Sequence, residues 1–319
     1  MRVLVLLVSL IGIVAMCANA QVPSGIGSAA FARLGVDARA IGMGGAFVAV
    51  TTGAPIAFYN PASLALARQV DVGALYAAPY GADLGISYQH VSAVLPLSVQ
   101  TESKRGLGVA VTWMGLQISD IIIWDEDDPG SGTSFTATDS IYMASFGIEL
   151  IDNLCVGGAA KLYQERILNG RGEGVGVDLG LVASLTLGEI PISIGLNSTD
   201  VGRSTVRWSG TTGNPENYIP WVNKLGVAVR LDELSLLAAA GFDWAVARPE
   251  REQVLRAGLE WSPVKPLTLR AGGTLTLDGT KGITAGVGLR IFGLLSFDYA
   301  YVAGTGLGGT HFGSFHVEF

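Results

Sequence analysis

The sequence predicts an all-β fold, a fourteen-stranded antiparallel transmembrane β-barrel. Three features carry that expectation. The chain has an export leader but no membrane helix, apolar and polar residues alternate with a period of two from Arg68 to the last residue, and the two longest connections fall on the same side of the expected barrel. Most connections on the other side are tight turns, apart from residues 100–105.

Composition sets the bounds. The 319 residues include 44 glycines, about twice the usual share of ~7%. Charged residues make up 15%, where soluble domains carry about 25%, and mean hydropathy is +0.44. Such a chain is too apolar for disorder. Its net charge of −7 argues against non-specific binding of nucleic acid. Two cysteines, one of them Cys17 in the leader, leave no disulfide framework and no thiolate metal site. Three histidines argue against a His-rich metal centre. No metal, cofactor or catalytic residue is expected.

The first element is the leader. Met1 and Arg2 precede an apolar run over residues 3–16, and Ala18-Asn19-Ala20 supplies small residues for cleavage before Gln21. Residues 1–20 therefore read as a secretory signal peptide. After Gln21 no run approaches the ~20 apolar residues a membrane helix needs. An exported hydrophobic chain without such a helix is either a secreted β-domain or a barrel in an outer membrane.

The strands follow. In residues 173–186, Val175, Val177, Leu179, Leu181, Ala183 and Leu185 share one face, while Gly176, Asp178, Gly180, Val182 and Ser184 share the other. Residues 283–291 repeat the pattern, with Ala285, Val287 and Leu289 opposite Thr284, Gly286, Gly288 and Arg290. Fourteen such segments are expected: 69–79, 84–95, 106–118, 139–150, 154–168, 173–187, 191–198, 221–231, 234–246, 252–262, 266–277, 282–291, 294–303 and 311–319. Each is near the 9–11 residues that cross a bilayer at a tilt. Turn formers separate them, among them Gly81-Ala82-Asp83, Asp152-Asn153, Asn169-Gly170, Asp232-Glu233 and Asp278-Gly279.

A soluble sandwich also alternates, so the chemistry of the two faces decides. The polar face is largely Gly, Ser and Thr, with isolated charges at Lys161, Asp178, Arg230, Asp243, Arg256, Glu260, Arg270, Arg290, Asp298 and Glu318. Small residues and charges of both signs suit a crowded lumen. The apolar face carries almost no ionised side chain, as expected where lipid-facing Arg or Lys costs about 2–4 kcal/mol. Asp178, Arg230, Arg256, Glu260, Arg270, Arg290 and Asp298 are thus candidate lumen-lining residues, set either to line a conduction path or to pair with one another. Tyr76, Trp113, Trp261, Tyr299 and Tyr301 fit interfacial girdles.

If the first strand rises from the periplasm, the two longest gaps, 119–138 and 199–220, both fall outside, where bacterial barrels carry their longer loops. The chain ends on an alternating aromatic strand, Phe315, Val317 and Phe319. That ending is similar to the signal read by the outer-membrane barrel-assembly machinery.

Residues 21–67 do not alternate. They contain Ala38-Arg39-Ala40, then Gly42-Met43-Gly44-Gly45-Ala46-Phe47-Val48-Ala49-Val50, and later Asn60-Pro61-Ala62. This combination resembles the N-terminal signature of the FadL-type outer-membrane channels, closest to their short PorV/PorQ-like members. The resemblance implies a fourteen-stranded barrel, residues 68–319, closed from within by an N-terminal hatch, residues 21–67. It places Gly42, Gly44, Gly45, Asn60, Pro61 and Ala62 as hatch positions in the lumen. The chain is shorter than the fatty-acid channels and carries an acidic outer loop around Asp125-Glu126-Asp127-Asp128.

Other candidates read as structural. In the acidic stretch at 124–130, Pro129, and Thr136 at the twelfth loop position where an acid is needed, break the calcium-loop pattern of EF-hand type, and a solvated outer loop is expected. His311 and His316 flank Ser314 without an evident third catalytic partner, and His316 faces inward, where a lumen hydrogen bond is expected. Two functions remain. One is passive uptake of small hydrophobic molecules through a hatch-gated barrel in the outer membrane of a Gram-negative-type bacterium. The other, implied by the PorV likeness, is a docking barrel for proteins of type IX secretion. The expected partners are outer-membrane lipid, the assembly machinery, and either a hydrophobic small molecule or secretion-system proteins.

Overall fold

The computed structural model describes residues 28–319, apart from 54, 82–83, 100–104, 124–131, 133, 247–252, 278, 280 and 305–307. The leader, the acidic loop at 124–128 and Asp278 lie outside the described residues. The strands are β1 (Asp71–Ala77), β2 (Ile86–Ser98), β3 (Leu107–Ile122), β4 (Ser134–Ile151), β5 (Leu154–Ile167), β6 (Gly170–Leu187), β7 (Ile190–Thr199) and the short β8 (Thr205–Ser209) and β9 (Glu216–Tyr218). They continue as β10 (Val222–Leu231), β11 (Leu236–Ala245), β12 (Gln253–Val264), β13 (Leu267–Thr276), β14 (Lys281–Ile291), β15 (Leu295–Val302) and β16 (Thr310–Glu318).

Fourteen of these form a closed antiparallel barrel. Sequential neighbours pair throughout, β7 pairs with β10, and β1 meets β16 from Asp71↔Glu318 to Ala77↔Phe312. The seam is locked at its base by Val70 and Phe319, whose backbone groups exchange bonds of 2.9 and 3.0 Å. Closure leaves no unpaired edge, which is what allows a sheet to sit in hydrocarbon.

The alternation resolves as the sequence implies. On β6, Val175, Val177, Leu179 and Leu185 face outward and exposed, while Asp178 and Val182 are buried inside. Tyr76, Tyr299 and Tyr301 are exposed near the long-loop end and Trp261 near the short-turn end. Phe315 also points outward, its ring 4.8 Å from that of Phe297.

Two stretches differ from expectation. Strand β4 begins at Ser134 rather than near 139, because β3 and β4 continue as a hairpin beyond a register shift between Ile118 and Ile121. The gap at 199–220 holds the β8–β9 hairpin. Strand β6 outlasts β7 at the loop end, and its free edge from Arg171 to Val175 is covered by Ser209 to Thr205.

An arginine at Val177, 49% exposed at mid-strand, should cost about 2–4 kcal/mol of insertion free energy if that face meets lipid. Val177→Arg is expected to lower the folded fraction in liposomes, read by the heat-dependent gel shift of the barrel. Val182→Ala, on the inner face, should insert as the parent does.

Candidate functional site

The lumen is filled by the chain's own N-terminal segment. Residues 30–34 form a 3-10 turn, Ala38–Gly42 a short helix α1, Ile56–Tyr59 a second helix α2, and Pro61–Leu66 another 3-10 turn. Asp37 starts α1: its Oδ1 accepts from the backbone N–H groups of Arg39 (2.8 Å) and Ala40 (3.2 Å). Asn60 starts the last turn, its Oδ1 accepting from Ala62 N at 3.2 Å, with Pro61 at the first position.

The segment touches the inner wall on both sides of the barrel. A Cβ at Gly258 would lie 2.7 Å from Met43 Cβ, and one at Gly272 2.8 Å from Met43 Cα. Across the lumen, a Cβ at Gly147 would lie 2.5 Å from Pro61 O, one at Gly157 2.5 Å from Ala62 N, and one at Gly180 would collide with Asn60 Oδ1. The glycine-rich polar face is thus a shelf on which a second layer of backbone rests. Gly44 combines a close approach with a left-handed backbone. It has φ of +65°, and a side chain there would meet Gly273 N at 2.6 Å and Ala257 O at 2.9 Å.

Hydrogen bonds fix the register of segment against wall. Asn60 Nδ2 donates to Val48 O and Leu181 O, both at 3.0 Å, and to Leu196 O at 3.4 Å. Asn197 Nδ2 donates to Tyr59 O at 2.8 Å. Gly44 N donates to Thr284 Oγ1, which in turn donates to Gly42 O, each at 3.0 Å. Ala38 N donates to Ser314 Oγ at 2.9 Å, and Tyr88 OH to Gly35 O at 2.8 Å.

Ion pairs complete the anchoring. Arg39 makes a two-pronged pair with Glu260 at 2.7 and 2.8 Å, and Arg270 bridges Glu260 and Asp298 at 2.7 and 2.6 Å. Arg256 pairs with Asp243 at 2.7 Å and donates to Gly44 O at 3.1 Å. His316 Nε2 lies 2.6 Å from Asp37 Oδ2. Burial pushes the Asp37 carboxyl up, but His316 and the Ala40 N–H more than offset this and hold it below the ordinary carboxylate range.

All six positions that the resemblance placed in a hatch, Gly42, Gly44, Gly45, Asn60, Pro61 and Ala62, abut the wall or bond to it. Of the charged positions, Asp178, Arg256, Glu260, Arg270 and Asp298 lie in ion pairs inside the barrel. Arg230 and Arg290 sit at the short-turn mouth, where Arg290 pairs with Glu318. His316 makes an inward hydrogen bond, with Asp37 as partner, whereas His311 faces out and bonds Tyr299. Sequence reasoning passed over Asp37, Asp200, Tyr163, Asn197 and Lys224. Asp37 stood two residues before the Arg39 of the quoted motif, so a capping reading of that stretch was within reach.

The segment divides the lumen into two cavities. At the short-turn end a vestibule of about 1220 Å³ is lined by Arg39, Arg68, Arg230, Glu260, Arg290 and Glu318, among others. At the long-loop end a cavity of about 240 Å³ lies between Phe58, Tyr59, Met114, Ile141 and Phe312, with Lys161, Tyr163, Lys224 and Arg256 on its walls.

No protein-family model matches this chain, and comparison with curated proteins finds no match. Solved structures do resemble it. The Ralstonia pickettii toluene transporter TbuX superposes with a TM-score of 0.61 at 14% identity, over 89% of this chain and 98% of that one. The monoaromatic hydrocarbon channel CymD gives 0.62 at 13% identity over 90% and 98%, and the Pseudomonas putida toluene transporter TodX gives 0.59 at 15% over 89% and 96%. At such identities the likeness is one of fold, a closed fourteen-stranded barrel. The narrower PorV/PorQ-like resemblance has no counterpart among the three.

Two outcomes are expected from this geometry. Asn60→Ala leaves buried carbonyls without a donor, at a cost of about 1–3 kcal/mol, so amide-exchange protection over residues 56–66 should fall while the strands stay protected. Because the Asp37 carboxyl is held below its ordinary value of 3.8, its contribution is complete above about pH 5 and lost as the medium acidifies further. Protection of amides 38–42 should fall below that pH in the parent and depend much less on pH there in Asp37→Asn.

Proposed function

We propose that this protein is an outer-membrane channel for passive uptake of small hydrophobic molecules, with the N-terminal segment as its hatch. One observation carries the reading: a segment seated on the wall by non-covalent contacts separates a small, largely apolar cavity on the long-loop side from a large vestibule lined by several charged side chains on the short-turn side. Orientation follows from loop length, since barrels of this kind carry their longer loops outside and short turns in the periplasm. The outer cavity is then the capture site, and apolar burial supplies its affinity.

The barrel needs no energy source. A ligand opens the path to the extent that it binds the displaced arrangement of the hatch better than the seated one. Gly42, Gly44, Gly45, Asn60, Pro61 and Ala62 set the seated arrangement, and the Arg39–Glu260–Arg270–Asp298 chain holds its inner edge. The fold shared with proteins named as toluene and monoaromatic hydrocarbon transporters supports the same reading.

Proteoliposomes should take up a radiolabelled monoaromatic hydrocarbon faster than empty liposomes, and Gly44→Val or Asn60→Ala should raise that rate severalfold by loosening the hatch. Uptake equal to empty liposomes in parent and variants alike, together with co-purification of secretion proteins, would replace uptake with the docking role.

A further inference from the structure

The outer cavity carries a feature that a purely hydrocarbon site does not call for. Four cations line it, Arg33, Lys161, Lys224 and Arg256, against the two carboxylates Asp200 and Asp243. This concentration of positive charge occurs in a chain of net charge −7. Lys161 is satisfied by Asp178 at 2.8 Å, set behind it, and by Asp200 at 3.1 Å, while Asp200 also accepts from Tyr163 OH at 2.6 Å. Arg256 is held by Asp243. Lys224 differs. Its cross-strand neighbour Asp243 gives Oδ2 to Arg256, its Oδ1 makes no hydrogen bond among the described residues, and among those residues no carboxylate lies within ion-pair distance of the Lys224 ammonium. Its recorded contact is with the ring of Phe58, 5.8 Å from the centroid.

We infer that the outer cavity binds a small aromatic or short-chain carboxylate, with the ligand's anion at the Lys224 ammonium and its apolar body over Phe58. This deepens the uptake reading and rests on it. An ammonium against apolar surface and without a counter-ion is costly, and a carboxylate supplies both charge and hydrogen-bond acceptors. The Phe58 face favours the cation and gives the ligand's ring a flat surface to cover. Size narrows the class. A cavity of about 240 Å³ has room for one ring and a carboxylate.

The test is equilibrium binding of benzoate and toluene to the full-length protein in detergent, by saturation-transfer NMR or calorimetry, at low and high salt. Benzoate should bind more tightly than toluene, and salt should weaken benzoate alone. Lys224→Met should lower the benzoate-to-toluene affinity ratio at least tenfold, and Lys224→Arg should restore most of it. Circular dichroism and the gel shift report whether each variant is folded. Toluene binding at least as tight as benzoate, with a ratio insensitive to Lys224→Met, overturns the carboxylate assignment and leaves hydrocarbon uptake standing. Binding of neither probe also overturns it, and the liposome assay then decides the uptake reading on its own.

Discussion

The structure depends on how closely two backbones can approach. Fourteen strands enclose more space than their own inward side chains fill, unlike an eight-stranded barrel, whose interior its side chains just occupy. Here the space is taken by residues 28–67, and the wall receives them because it presents hydrogen where other barrels present a side chain. Gly147, Gly157 and Gly180 meet the turn that starts at Asn60, and Gly258 and Gly272 meet Met43. Glycine weakens a strand, so its accumulation in long, otherwise regular strands needs a compensating contact. The buried inner segment supplies one, with Val36, Met43, Phe47 and Leu64 wholly removed from solvent.

Charge does a different job from packing. Ion pairs inside a barrel recover roughly what their desolvation costs, so the Arg39–Glu260–Arg270–Asp298 chain is poor grounds for extra stability. Its value is positional. Arg39 grips Glu260 with two parallel bonds and donates to Thr52 O at 2.9 Å, so one guanidinium fixes helix α1, the loop after it and strand β12 together. Asp37, two residues before Arg39, does the same, capping α1 while meeting His316 on β16. Apolar packing alone would let the segment slide along a smooth glycine surface.

Much of the barrel was legible because alternation along a strand is a local property. Val175 to Leu185 and Ile283 to Leu289 declared their faces without reference to any partner, and composition then told lipid from lumen. The β8–β9 hairpin was missed because it is set by length mismatch: β6 runs past the end of β7, and Thr205–Ser209 covers the exposed edge. That depends on registers several strands away. The inner segment shows the same divide. Its glycines and the Asn60-Pro61 turn stood out in the sequence, but their partners lie more than a hundred residues on, as with Asn60 and Leu181 or Asp37 and His316. Lys224 was invisible for a related reason. It sits in an ordinary strand, and only the fold shows that its cross-strand neighbour Asp243 turns Oδ2 to Arg256 and lies outside ion-pair distance of the ammonium.

The inequality of the two cavities bears on how a passive barrel of this form would work. A solute with an apolar body gains affinity in the outer cavity from burial against Phe58, Met114, Ile141 and Phe312, and it loses that gain in a vestibule rimmed by Arg68, Arg230 and Arg290. In the proposed channel, tight capture and easy release would therefore occur at different places, on the two sides of the inner segment. Binding that favoured both sides equally would hold the solute inside, and binding that favoured neither would not displace the hatch. In such a channel net direction would come from consumption of the solute beyond the vestibule, and the barrel would set only the rate at which a captured molecule exchanges with the seated segment.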